Sequence, residues 1–195
     1  MPASPASKAC DLGPLRWRWQ PHRRGEAAEP AARAWLAGQL GLAFEALPLV
    51  RDPRGRPRLL SAGHDCSWSH SGEGLLVVLA RGVTVGVDCE RLHARPRALA
   101  LAERFFTRAE HDWLAAQAAG PLRDRAFLRL WCAKESVLKA HGHGLSFGLD
   151  RLRFEAGAAG LRLAECDPAL GHAGDWTLHE FAPADDYVAA LAWRA

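Results

Sequence analysis

Lysine is nearly absent from this chain. Of 25 basic residues among 195, only Lys8, Lys134 and Lys139 are lysines; the others are arginine. Two of the three stand close together, on either side of Glu135, just before a Gly-rich turn. Cysteine is scarce too. Cys10, Cys66, Cys89, Cys132 and Cys166 are odd in number and show no CxxC spacing. That argues against a disulfide framework and a zinc–cysteine site, and fits a reducing cytoplasm. The N-terminus lacks the apolar core of a secretory signal, and no apolar run reaches the length of a membrane span. Charge of one sign is also not in excess. The net charge is +3, which suits an anionic small molecule or an acidic protein partner. The basic residues are scattered, so neither a nucleic-acid partner nor a membrane is expected.

What remains is an ordinary globular composition, 49% hydrophobic and 24% charged, with enough chain for one large domain or two small ones sharing a core. Residues 1–15, rich in Pro, Ala and Ser, read as a loose lead-in. "EPAARAWLAGQLGL" has helical spacing and ends near Gly41. "RDPRGRPRL" is turn-rich. "LLVVLARGVTVGVD" reads as two apolar strands forming a hairpin around Arg81-Gly82. "RALALAERFF" is a helix, and Thr107 and Glu110 have capping-box spacing before another. After the Gly120-Pro121 break, residues 123–140 form a long helix stopped by Gly142 and Gly144. "LRF", "LRL", "WTLHEF" and "YVAALAW" are strands. A faint echo between "LLVVLA" and "YVAALAW" suggests two α+β lobes, 1–84 and 85–195, meeting near residue 85 with any site at the seam.

Asp88 and Glu90 close an apolar strand. Residues i and i+2 of a strand share a face, so both carboxylates point one way and Cys89 the other. Like charges so close need a counter-charge, and a hard dication such as Mg²⁺ supplies one. Solvated carboxylates at a strand end are the ordinary alternative. On the long helix, Glu135 and Lys139 are spaced to pair one turn apart at the edge of an apolar face. As a surface pair they would be worth only about 0.3–0.5 kcal/mol. As a compact ammonium, however, Lys139 suits a phosphate. Lys134 falls inside the apolar arc, where snorkelling is the expectation. "CSWSHSGEG" offers Ser69, His70 and Ser71 in a turn-like segment without the spacing of a hydrolase nucleophile. "HGHGL" reads as a helix stop, and Glu110 as a cap.

In order along the chain come "GRP" (55–57), "SHS" (69–71), "GVDCE" (86–90), "RFFTRAE" (104–110) and "WCAKESVLKAHGHGL" (131–145). This series resembles the 4'-phosphopantetheinyl transferases of the Sfp type, over residues 30–150. The last motif is W-x-x-K-E-x-x-x-K-x-x-G-x-G-L, too long for chance. The resemblance implies an α+β pseudo-dimer of two similar α/β lobes with the active site in the cleft between them. It implies transfer of the phosphopantetheine arm of coenzyme A to a serine of an acyl- or peptidyl-carrier protein, releasing adenosine 3',5'-bisphosphate. Asp88, Glu90 and Glu135 would hold Mg²⁺. Lys139 would neutralise the pyrophosphate, and Glu135, directly or through water, would take the serine proton. Ser69 and His70 would meet coenzyme A phosphates, with Arg56 and Arg33 as further basic contacts. A monomer in the cytoplasm is expected. Two rivals stand beside this reading: another Mg²⁺-dependent phosphate-processing enzyme, and a non-enzymatic module with a basic cleft.

Overall fold

The computed structural model describes residues 8–195, so the first seven residues of the expected loose lead-in lie outside it. The rest of that lead-in is ordered. β1 (Lys8–Leu12) and β2 (Leu15–Pro21) form an antiparallel hairpin turned at Gly13-Pro14. α1 (Ala28–Leu40) follows and ends on Gly41 in the left-handed conformation, as its glycine predicts. β3 (Leu49–Arg51) and β4 (Pro57–Leu59) form a small hairpin across the turn-rich "DPRGR" segment. Then come β5 (His64–Ser71), β6 (Gly74–Arg81) and β7 (Thr84–Arg91).

The expected hairpin of β6 with β7 does not form. β6 pairs with β2 and β5 in a four-stranded sheet of order β1-β2-β6-β5. β7 instead joins the other sheet, beside β11 (Tyr187–Arg194), which pairs in turn with β10 (Thr177–Phe181). The hairpin that exists is β5–β6, turned at Gly72-Glu73. "SHS" is therefore the end of a strand, not a turn.

α2 (Ala98–Phe105), α3 (Arg108–Ala115) and α4 (Pro121–His141) fill the stretch between β7 and the tail. α3 carries the predicted Thr107/Glu110 capping box. Pro121 opens α4 rather than only breaking its predecessor, because a first-turn residue has no intrahelical N–H bond to lose. β8 (Leu152–Gly157) and β9 (Gly160–Cys166) form a further hairpin. The fold is thus mixed α/β with several small sheets.

Alternation along the strands builds the layers. Leu75, Val77 and Leu79 of β6 pack with α1, while Leu76, Val78 and Ala80 face a second core shared with β7 and β11. On β11, Tyr187, Ala189 and Leu191 join that shared core, and Val188, Ala190 and Ala192 pack with α4. β6 is buried on both faces at all but its last residue, as a central strand covered on two sides must be.

β5 and β7 are edge strands of different sheets, and they lie side by side at a constant offset of 20 residues. No backbone ladder joins them. Asp65 Oδ2 accepts from Val85 N at 2.8 Å, Ser67 Oγ from Val87 N at 3.2 Å and Ser71 Oγ from Arg91 N at 3.2 Å. Alternate side chains of one edge thus satisfy alternate amides of the other.

Candidate active site

The shared core takes Val85, Val87 and Cys89 of β7, so Gly86, Asp88 and Glu90 face the opposite way. Gly86 lets α4 come close: a Cβ there would stand 2.0 Å from Ser136 O and 2.5 Å from Ala140 N. Tight contact at Gly86 brings the last turns of α4 against the carboxylates that follow it on β7. Asp88 thereby meets Ser69 of β5 and Lys139 of α4, Glu90 meets Ser71, and Glu135 of α4 stands near enough to feel the charges of both carboxylates.

Asp88 is buried. Its Oδ1 accepts from Ser69 Oγ at 2.7 Å and from Lys139 Nζ at 2.7 Å, while its Oδ2 is buried without a partner. Lys139 also donates to Ser69 Oγ at 3.1 Å. The expected Glu135–Lys139 pair on one helix face is thus replaced by a pair between α4 and β7. Burial opposes the Lys139 charge, but the Asp88 carboxylate outweighs it, with help from Glu135, and raises the pKa above the ordinary lysine value. Glu90 accepts from Ser71 Oγ at 2.8 Å and pairs with Arg95 at 3.4 Å. Burial raises its pKa, partly offset by the Ser71 bond. Glu135 is buried at 7% exposure. Burial first, then the negative charges of Asp88 and Glu90, push its carboxyl up to about 7.

Among the described residues, no three Asp, Glu, His or Cys side chains converge into a ready-made metal cage. The donor set nevertheless fits a hard dication. It consists of carboxylate oxygens, one of them buried and unpartnered, and it holds one carboxyl that burial, with its negative neighbours, pushes up to about 7. As the site stands, Lys139 and Arg95 act as the counter-charges.

His70 is exposed, its ring edge-on to His22 at 5.1 Å. Partial burial, then the charges of His22 and Lys139, lower its pKa, so the neutral imidazole dominates at neutral pH. His70, Ser71, Arg24, Arg91 and His93 line an open depression of about 820 Å³. A smaller cleft of about 230 Å³ on the Lys139 side is lined by Arg51, Arg54, Arg56, Trp68 and Gly142. The Arg51 guanidinium lies over the Trp68 ring at 5.5 Å.

Two predicted basic contacts are engaged with the protein itself. Arg33 donates to Leu47 O at 2.9 Å and Leu49 O at 3.2 Å, fastening the loop after α1. Arg56 is buried and pairs with Asp65. Lys134 does not snorkel. It is fully buried, pairs with Glu110 at 2.8 Å, donates to Leu149 O at 2.8 Å and to Leu152 O, and stands 5.0 Å from the centre of the Phe106 ring. Burial lowers its pKa to about 8 against the pull of Glu110. Glu110 is thus more than a cap, since its Oε1 also accepts from Phe154 N at 2.8 Å.

The family model of the 4'-phosphopantetheinyl transferase superfamily matches residues 84–192, from β7 through β11. The chain belongs to that superfamily. It is accordingly an enzyme, a phosphopantetheinyl transferase. It is 30% identical to the 4'-phosphopantetheinyl transferase HetI of Nostoc sp. over 175 residues, 87% of this chain and 70% of that one. It is 32% identical to the transferase psf-1 of Bacillus pumilus over 148 residues, 73% of this chain and 61% of that one. Against Sfp of Bacillus subtilis the identity is 37% over 82 residues, covering 42% and 35% of the two chains. Arg95, which sequence reasoning missed, is the addition the geometry makes to this cluster, through its pair with Glu90. It lies beyond the acidic strand with no motif to mark it.

Proposed function

We propose that this transferase moves the phosphopantetheine arm of coenzyme A onto a serine hydroxyl of an acyl- or peptidyl-carrier protein, with Mg²⁺ held by Asp88, Glu90 and Glu135. The observation that carries the reading is the contact of Asp88 with Lys139 and Ser69, within the charge influence of Glu90 and Glu135, beside a cleft lined by arginines and Trp68 and a depression lined by His70 and Arg24. A nucleotide with a pyrophosphate and a further phosphate would put its negative charge in this neighbourhood. When bound, the metal would supply positive charge to the pyrophosphate oxygens.

The chain's own groups then divide the work. Lys139 exchanges Asp88 for a phosphate oxygen and steadies the charge that builds on the leaving group. Ser69 and His70 orient phosphates by hydrogen bonds. Glu135, with a carboxyl poised near neutrality, takes the proton of the attacking serine. The serine oxygen bonds to the β-phosphorus. The bond from that phosphorus to the bridging oxygen breaks, and adenosine 3',5'-bisphosphate leaves. Positioning and charge stabilisation account for most of the catalysis in such a step.

We further propose that the halves 1–84 and 85–195 are two similar lobes, each a sheet backed by one long helix, with the site in their cleft. A cytoplasmic monomer completes the reading. Five free cysteines fit a reducing cytoplasm. Incubation with coenzyme A, Mg²⁺ and a panel of apo carrier proteins tests the function by mass spectrometry. A phosphopantetheine mass increase on the carrier serine is expected. No increase on any carrier would overturn the reading and leave room for another phosphate-processing reaction.

A further inference from the structure

Arg56 was expected to reach for substrate, but its hydrogen bonds run inward. Its Nε donates to Lys139 O at 2.6 Å, and its Nη2 to Asp65 Oδ2 at 2.6 Å and Val85 O at 3.1 Å. Asp65 Oδ2 also takes Val85 N. Lys139 O belongs to the last turn of α4, where carbonyls lack intrahelical donors and favour a cation. Arg56 Cδ would lie 3.1 Å from a Cβ at Gly142, the residue that ends this helix. One guanidinium therefore grips the end of α4 and the start of β7 together. Lys139 and Asp88, which form the ion pair of the active site, stand on those two elements.

We infer that Arg56 and Asp65 form a clamp of positioning residues that fixes the distance between Lys139 and Asp88, and that Arg56 does not serve as a phosphate contact. Asp65 stands on β5, four residues before Ser69, with a side chain only 12% exposed. Its carboxylate neutralises the guanidinium and aims it, so little positive charge is left for a substrate. A lysine cannot replace this fork. An ammonium is a point charge, whereas the guanidinium presents donors in fixed directions. Nη1 of Arg56 is buried without a partner, and it is the one atom through which a phosphate contact would act. The test must distinguish that contact from the clamp.

The inference rests on the proposed transfer reaction, so wild-type transfer is measured first. Arg56→Lys, Asp65→Asn and the double variant are then compared for kcat, KM for coenzyme A and calorimetric coenzyme A affinity. The clamp predicts a fall in kcat of about tenfold or more in each single variant, since small misplacements at a reacting centre are costly. It predicts KM and affinity changed by less than about threefold, and a double variant no worse than the worse single one. Wild-type kcat in Arg56→Lys would overturn it. So would a weakened coenzyme A affinity in Arg56→Lys with Asp65→Asn unaffected. If Asp65→Asn fails to fold, Arg56→Lys decides alone, because it keeps the charge. If the wild type transfers nothing, the functional reading falls, and the clamp is judged by urea denaturation, where additive losses in the two single variants would refute it.

Discussion

The Lys139 ammonium lies 2.7 Å from Asp88 Oδ1, joining the last turn of α4 to the strand that carries the acidic residues. The lysine side chain is 29% exposed and the aspartate side chain 7%. The pair is half-sheltered, so its loss is felt mainly by the carboxylate left inside.

Replacing Lys139 with Met should destabilise the metal-free protein by about 1–3 kcal/mol, because a buried carboxylate would keep only Ser69 as a partner. Added Mg²⁺ should restore part of that loss by supplying the missing charge. Thermal melts with and without Mg²⁺ check this. Equal melting temperatures for variant and wild type without metal would contradict it.

Glu135 makes stability depend on pH. Its folded carboxyl titrates at about 7 against an ordinary value of 4.5. Between those values the folded state holds more protons than the unfolded one, so stability falls as pH rises from about 4.5 to about 7 and then levels. Glu135→Gln should flatten that slope in a urea-denaturation series. Because Mg²⁺ would need the ionised form, its stabilising effect on the wild type should be larger at about pH 8 than at about pH 6. The same Gln variant should lose nearly all transfer while remaining folded.

Lys134 and Glu110 are a structural pair. Lys134→Met should cost about 3–5 kcal/mol by leaving the Glu110 carboxylate buried without its cation. Combining it with Glu110→Gln should recover part of that loss, since the amide carries no charge to leave unpaired and its one oxygen still accepts from Thr107 N or from Phe154 N, though not from both. Denaturation of the two variants gives the comparison, and a double variant weaker than Lys134→Met would argue against the pair.

Gly86→Ala is expected to be among the most damaging single-methyl changes. The new Cβ meets backbone atoms of Ser136 and Ala140, which have no rotamer to yield. The cost should be about 3 kcal/mol or more. Transfer should be lost as well, since α4 must move away from β7 and take Glu135 and Lys139 with it. Circular dichroism melts and the carrier assay measure both effects.

Local signals in the sequence were legible and distant pairing was not. Gly41, the Thr107/Glu110 box and Gly142 marked helix ends because caps are decided within a few residues. The four tail strands followed from short apolar alternation. β5 escaped notice because Asp65, Ser67, Ser69 and Ser71 read as turn residues; three of them serve the amides of β7 and Ser69 holds Asp88. β6 and β7 looked like a hairpin because an Arg-Gly turn joins two apolar runs, yet nothing local says which sheet a strand will enter. The acidic residues were legible as a pair from strand periodicity, and their meeting with α4 came only through the family motif. Lys134 has no readable partner in the sequence, since the capping box by itself accounts for Glu110.

Two edge strands that meet without pairing also bear on solubility. An open edge offers unpaired amides to any passing strand, the usual start of aggregation. Here β5 and β7 shield each other, and short hydroxyl and carboxylate side chains occupy the amides that a foreign strand would use. Replacing Ser67 with alanine would therefore cost more than one hydrogen bond: it would leave the Val87 amide buried with no partner.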